Sequence, residues 1–213
     1  MASFARHLLA SGATKREGQP HMSIADPNKV ILTGENPFIR MSTTDGAPET
    51  TSASFWRIIL SPAGPGHVLY MKSELTNDSW RIWSDNIAMT RWLQDTVQGM
   101  LNPALKDTSI PVTPARFRQY GTVATEWTEA LKAHGEEVSL TWYNAGDPLM
   151  LHAQPNQVPG RHYGLNTILI PVAGTRITLN GRHAGGQSWP REREGRPFST
   201  SALAFSESWT DVR

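Results

Sequence analysis

From residue 29 onward, apolar and polar residues alternate with a period of two, as in strands with one buried face. Such runs occupy Lys29–Leu32, Phe38–Ser42, Ala53–Leu60, His67–Leu75, Trp80–Ser84, Phe117–Leu131, Glu137–Tyr143, Leu149–Gln154, Leu165–Val172, Thr175–Leu179 and Ala202–Trp209. Turn-forming residues lie between them, at Pro62-Ala-Gly-Pro-Gly66, Thr76-Asn-Asp-Ser79, His134-Gly135, Asn144-Ala-Gly-Asp147, Ala173-Gly174 and Asn180-Gly181. One stretch follows the helical period instead. Met89, Leu93, Val97 and Met100 recur every three or four residues, with Trp92 and Leu101 beside them. Asp85 or Asn86 can cap its start, and Gly99 with Pro103 marks its end, which predicts one helix near residues 86–101.

An antiparallel sheet of about ten strands must close on itself or stack as two layers to bury its inner face. The pattern therefore predicts an all-β fold: an antiparallel β-barrel, or a curved sandwich, carrying one α-helix. Strands, one helix and strands again, in that order, resemble lipocalin-like (calycin) barrels. The resemblance is one of architecture, because Ser54-Phe-Trp56 stands where those barrels carry glycine–any–tryptophan near the first strand.

Charge and composition narrow the function. Twenty Lys and Arg face nineteen Asp and Glu, a net charge of +1, which argues against a general nucleic-acid binder. No apolar run reaches the roughly 18 residues of a membrane-crossing helix. With no Cys, the chain has no disulfides, thiolate zinc sites, Cys-ligated iron–sulfur clusters or Cys nucleophile. The first 26 residues are acid-poor up to Glu17 and carry Arg6, Lys15 and Arg16. That composition is shared with transit peptides, but the simpler expectation is a disordered or loosely docked tail ahead of a single barrel domain over 27–213 in a cytoplasmic protein.

The sequence has no Gly-x-Ser-x-Gly elbow and no glycine spacing of a phosphate or dinucleotide loop, so neither an α/β-hydrolase nor a Rossmann domain is expected. The histidines outside the tail are His67, His134, His152, His162 and His183. Pro159-Gly-Arg-His162-Tyr-Gly-Leu-Asn166 resembles the second cupin motif, whereas that family's first motif has no counterpart. Surface or hydrogen-bonded roles are expected for these histidines, and no metal or organic cofactor.

The most informative feature is ionisable residues inside strands. Val68, Tyr70, Lys72 and Glu74 share one face, as do Arg81, Trp83 and Asp85. Arg118, Tyr120 and Glu126 lie opposite Phe117, Val123 and Trp127; Met150, His152 and Gln154 share a face, with Tyr143 just across a turn. Most such residues would be solvated side chains on the wet face of a barrel. A few pointing into an apolar cavity would be desolvated, with pKa values moved toward the working pH. His152 is then the leading candidate base, and Tyr70, Lys72, Glu126 and Tyr143 complete the acid–base set. Trp83, Trp127, Trp142, Arg81 and Tyr120 are the candidate ligand contacts around a ring-lined pocket, although core packing is the ordinary role of strand Trp. Arg182, Arg191, Glu192, Arg193, Glu194 and Arg196 fall in the long segment 181–201, read as a solvated loop or a lid.

These features suggest a cavity enzyme performing cofactor-independent acid–base chemistry, of lyase, isomerase or hydratase type, on a small hydrophobic, aromatic substrate. The alternatives are a non-catalytic small-ligand-binding barrel and, more weakly, a metal-dependent barrel enzyme. The expected partner is a small hydrophobic ligand, not nucleic acid or membrane; Trp or Met on the barrel's outside would point to a homodimer.

Overall fold

A computed structural model describes residues 29–157, 162–193 and 195–211, so the tail over 1–26 lies outside the described residues. The strands in chain order are β1 (Val30–Glu35), β2 (Phe38–Met41), β3 (Thr51–Leu60), β4 (Gly66–Lys72), β5 (Arg81–Ser84), β6 (Val112–Gly121), β7 (Glu126–Ala133), β8 (Glu136–Ala145), β9 (Leu149–Ala153), β10 (Tyr163–Leu179), β11 (Arg182–His183), β12 (Pro190–Arg193), β13 (Arg196–Ser199) and β14 (Ala202–Asp211). Between β5 and β6 lie α1 (Ile87–Asp95), α2 (Val97–Leu101) and a 3-10 turn over Pro103–Lys106. Twelve strands form one curved sheet in the order β1-β14-β2-β3-β4-β5-β6-β7-β8-β10-β11, with β9 beside β10 and further pairings of β1 with β3 and β14 with β10. The β12–β13 hairpin stands apart as its own two-stranded sheet.

Four expectations are corrected. Phe117–Leu131 is not one strand: β6 ends at Gly121, whose φ of 76° only glycine takes without strain, and a Thr122–Thr125 turn starts β7. Ala173-Gly174 does not turn. β10 runs through it for 17 residues, and Gly174 is needed because the Tyr143 ring of β8 lies where a side chain would go. The sheet is not wholly antiparallel, since the helical crossover returns β6 parallel to β5, Ile82 opposite Val112. The single helix is two: Thr96, at φ −109° and ψ −105°, breaks it, and its hydroxyl caps back onto the Trp92 carbonyl at 2.7 Å.

Burial explains where the helices sit. On one face of the sheet Phe55, Leu69, Met71, Trp83, Leu140 and Trp142 pack together, so the sheet curls around its own side chains. On the other face Trp56, Val68, Tyr70 and Ile82 meet Met89, Leu93 and Val97 of the helices. β3, β4 and β5 are therefore buried on both faces, with adjacent residues such as Phe55 and Trp56 in different cores. Asn86 caps α1 by accepting the Met89 N–H at 3.0 Å, as its position before the apolar stripe predicts. Among the described residues no helix is long and apolar enough to cross a membrane.

Candidate functional site

The sequence-predicted site residues do not meet at one point. Tyr70 is buried under α1, its hydroxyl donating to the Thr90 carbonyl at 3.2 Å, and burial pushes its pKa far upward. Lys72 is exposed, and Tyr120 is 51 % exposed. Trp83 and Trp142 belong to the inner core; Trp83 donates to Glu136 at 2.8 Å beneath the Arg81 guanidinium, and Trp142 donates to the Phe38 carbonyl at 3.0 Å. Arg81 also pairs with Glu136 at 2.6 Å. Glu126 and Tyr143 are cross-strand partners on β7 and β8 beside Arg176, in a shallow surface depression. His152 of β9 is held between two amides, its Nδ1 at 2.6 Å from Asn166 Oδ1 and its Nε2 at 2.7 Å from Gln154 Nε2. Trp127 donates to Glu129 at 2.9 Å and stands edge-on to Phe205.

A site that alternation alone did not reveal lies on the outer face, beside α2. There β2, β3, β9, β10, β14 and the β12–β13 hairpin leave a cleft of about 260 Å³. None of the ten residues just placed lines it. Its polar floor comprises Asn36, Ser54, Gln98, Thr167 and Glu207. Phe38, Leu151, Leu165, Leu169, Phe198 and Trp209 supply apolar walls, and Arg40 and Arg193 bring positive charge.

A β-bulge puts the carboxylate there. With strict alternation Leu203, Phe205, Glu207 and Trp209 would share one face of β14. Ser206, at φ 51°, takes a left-handed conformation, and the register against β10 slips between Ile168↔Phe205 and Asn166↔Ser208. Leu203 and Phe205 then pack on the inner core, whereas Glu207 and Trp209 turn outward with Ala204. A lone Glu on an otherwise apolar face was the available sequence signal. The bulge that resolves it has no sequence signature of its own.

The floor is pre-arranged. Asn36, in the break between β1 and β2, donates to Ser54 Oγ at 3.0 Å and to the Phe55 carbonyl at 2.8 Å. Gln98 Oε1 accepts from the Trp56 indole at 2.7 Å and from Ser54 Oγ at 3.2 Å, tying α2 to β3. Glu207 is 4 % exposed, and its Oε1 accepts from the Trp209 indole at 2.6 Å. Burial pushes the Glu207 carboxyl up to about 7; the Trp209 indole and the Thr167 hydroxyl pull the other way and only partly offset it. The group can thus hold or release a proton at neutral pH without large cost.

A second buried carboxyl, Glu129, lies on the inner face in a different setting. Arg57 donates to Glu129 at 2.7 Å and to Glu35 at 2.8 Å, so this cluster is internally satisfied. Among the described residues, no three His, Asp or Glu side chains gather as metal ligands. Comparison with protein-family models, curated proteins and solved structures found no match to this chain.

Proposed function

We propose that the chain acts on a small hydrophobic molecule in the outer cleft, with Glu207 as the group that moves a proton. One observation carries this reading: a carboxyl raised to about 7 forms the floor of an apolar-walled cleft. A perturbed acid in a concave site is a candidate functional group, and Glu207, unlike Glu129, has no ion-pair partner among the described residues. The reaction class stays that of acid–base chemistry on a ring-sized substrate, but the base moves from His152 on β9 to Glu207 on β14. The sheet supports this as a rigid frame. β1 pairs with both β3 and β14, and β14 with β10, which favours reading the curved sheet as a calycin-like barrel whose ligand site is on the wall rather than in the filled interior.

A second reading, a non-catalytic binding protein, has its own supporting observation. Glu207 is the sole carboxyl among the described lining residues, and no His, Lys or Tyr accompanies it. Conversion of a carried molecule, and its response to Glu207→Gln, separate the two. Native mass spectrometry of freshly purified full-length chain identifies a carried molecule, which is then offered as substrate. Loss of a general base is expected to slow turnover by about 10²–10⁴-fold. Unchanged turnover in Glu207→Gln contradicts Glu207 as the group that moves the proton, and a molecule bound but never converted by the wild type, with only its affinity altered in the variant, supports the binding protein.

A further inference from the structure

We propose that the ligand of the outer cleft is a small hydrophobic carboxylic acid, one ring or an equivalent short chain in size, with its carboxylate on Arg193 and a hydroxyl at its other end on Glu207. This rests on the outer cleft being the ligand site. Size comes first. The cleft holds about 260 Å³. That exceeds the roughly 150 Å³ cavity that accepts benzene and falls short of the roughly 300–1,000 Å³ of drug-sized sites. One ring with a substituent at each end fits those bounds.

Charge comes second. Of the two arginines lining the cleft, Arg40 is exposed and already pairs with Glu49 at 3.2 Å. Arg193 is half-buried and makes no ion pair with a described residue. A half-buried guanidinium with no counter-ion among the described residues, beside apolar walls, is suited to a carboxylate, which it can grip with two parallel N–H donors. Arg193 lies on β12, and Phe198 lines the cleft from β13, so the hairpin that stands outside the main sheet brings both the cation and a ring to the same opening.

The floor sets the other end. Ionised, Glu207 only accepts hydrogen bonds; protonated, it also donates one. A ligand hydroxyl can donate to it or accept from it as its state allows, whereas an ammonium can only donate and gains its ion pair only with the charged form. An acid at the Arg193 end does not repel a neutral Glu207, so the two ends are compatible at and below neutral pH.

Calorimetric titration of the full chain with para-hydroxybenzoate, benzyl alcohol and benzylamine tests the assignment. Para-hydroxybenzoate is expected to bind tightest. Arg193→Met should weaken it at least about tenfold while leaving benzyl alcohol unchanged, and Arg193→Lys should retain much of the acid's affinity, as expected for a charge-assisted contact. Benzyl alcohol or benzylamine binding as tightly as the acid, or an acid affinity indifferent to Arg193→Met, overturns the carboxylate assignment. Leu151→Trp, which fills the half-buried wall of the cleft, distinguishes that failure from a deeper one. If that variant abolishes the binding that remains, the cleft reading stands and only the ligand class falls. If none of the three probes binds the wild type, or Leu151→Trp with an unchanged melting temperature binds them as before, the cleft reading falls with it.

Discussion

Replacing Arg57 by Met is expected to cost about 3–5 kcal/mol at about pH 8, and at least about 1 kcal/mol less at about pH 5. Arg57 of β3 bridges Glu35 of β1 and Glu129 of β7, at 2.8 and 2.7 Å. Glu129 is 1 % exposed, and the Trp127 indole donates to the same carboxylate oxygen that Arg57 holds. Burial raises its pKa to about 7 against the pull of Arg57 and Trp127, with Glu35 adding to the rise. Above that pH the folded chain holds a buried carboxylate whose counter-ion among the described residues is Arg57, and removing the cation leaves the charge uncompensated or forces a proton on. Below it Glu129 is already neutral, so on its side only hydrogen bonds and packing are lost, beside the Arg57–Glu35 pair that the variant lacks at either pH. Urea unfolding of wild type and Arg57→Met at both pH values measures the difference. An equal cost at the two would mean that Glu129 is not the group Arg57 compensates.

Leu93→Ala is expected to destabilise the chain by about 2–5 kcal/mol, through lost transfer free energy and an unfilled cavity. Leu93 is fully buried in the outer core with Met89 and Val97, against Trp56, Val68 and Tyr70. Collapse of that space is resisted on two sides. Gln98 ties α2 to the Trp56 indole and Ser54, and the Gln94 amide donates to the Leu105 carbonyl at 2.8 Å. Because Gln98 is also part of the cleft floor, the same variant should loosen probe binding. A thermal melt showing under about 0.5 kcal/mol of destabilisation would contradict the packing of α1 on the sheet.

How far the sequence reached depended on what each signal encodes. Alternation located the longer strands but not β11, β12 or β13, which lie in the segment 181–201 read as a loop or lid, and the Met89, Leu93, Val97 stripe located the helices and their buried face, since period is a local property. It did not say which face was which. Trp83 and Trp142 read equally well as pocket rings, yet both lie in the inner core, where the sheet curls on itself. Gly174 looked like a turn residue because nothing local reveals that Tyr143 of β8 covers it. Gly121 marked a real turn hidden inside a run that read as one long strand. Glu207 was overlooked for a related reason: one residue in a left-handed conformation, Ser206, moved it to the opposite face from the one its spacing indicated. The cleft itself brings together residues from Asn36 to Trp209, a long-range arrangement that no single segment encodes.

The ionisation of Glu207 is the most direct test of its place at the cleft floor. It can be followed as the carboxyl stretch in infrared difference spectra of wild type against Glu207→Gln across pH, with and without para-hydroxybenzoate. The expected midpoint is about 7, displaced when the probe binds. Stability is expected to follow the same group. The folded chain holds the proton that the unfolded chain releases above the ordinary value of 4.5, so this contribution is full below 4.5 and is lost as the pH rises through about 7. Glu207→Gln should flatten that part of the profile. A midpoint in the ordinary carboxylate range near 4.5, indifferent to the probe and with the same stability profile in the variant, would contradict a buried, proton-exchanging Glu207 in the outer cleft.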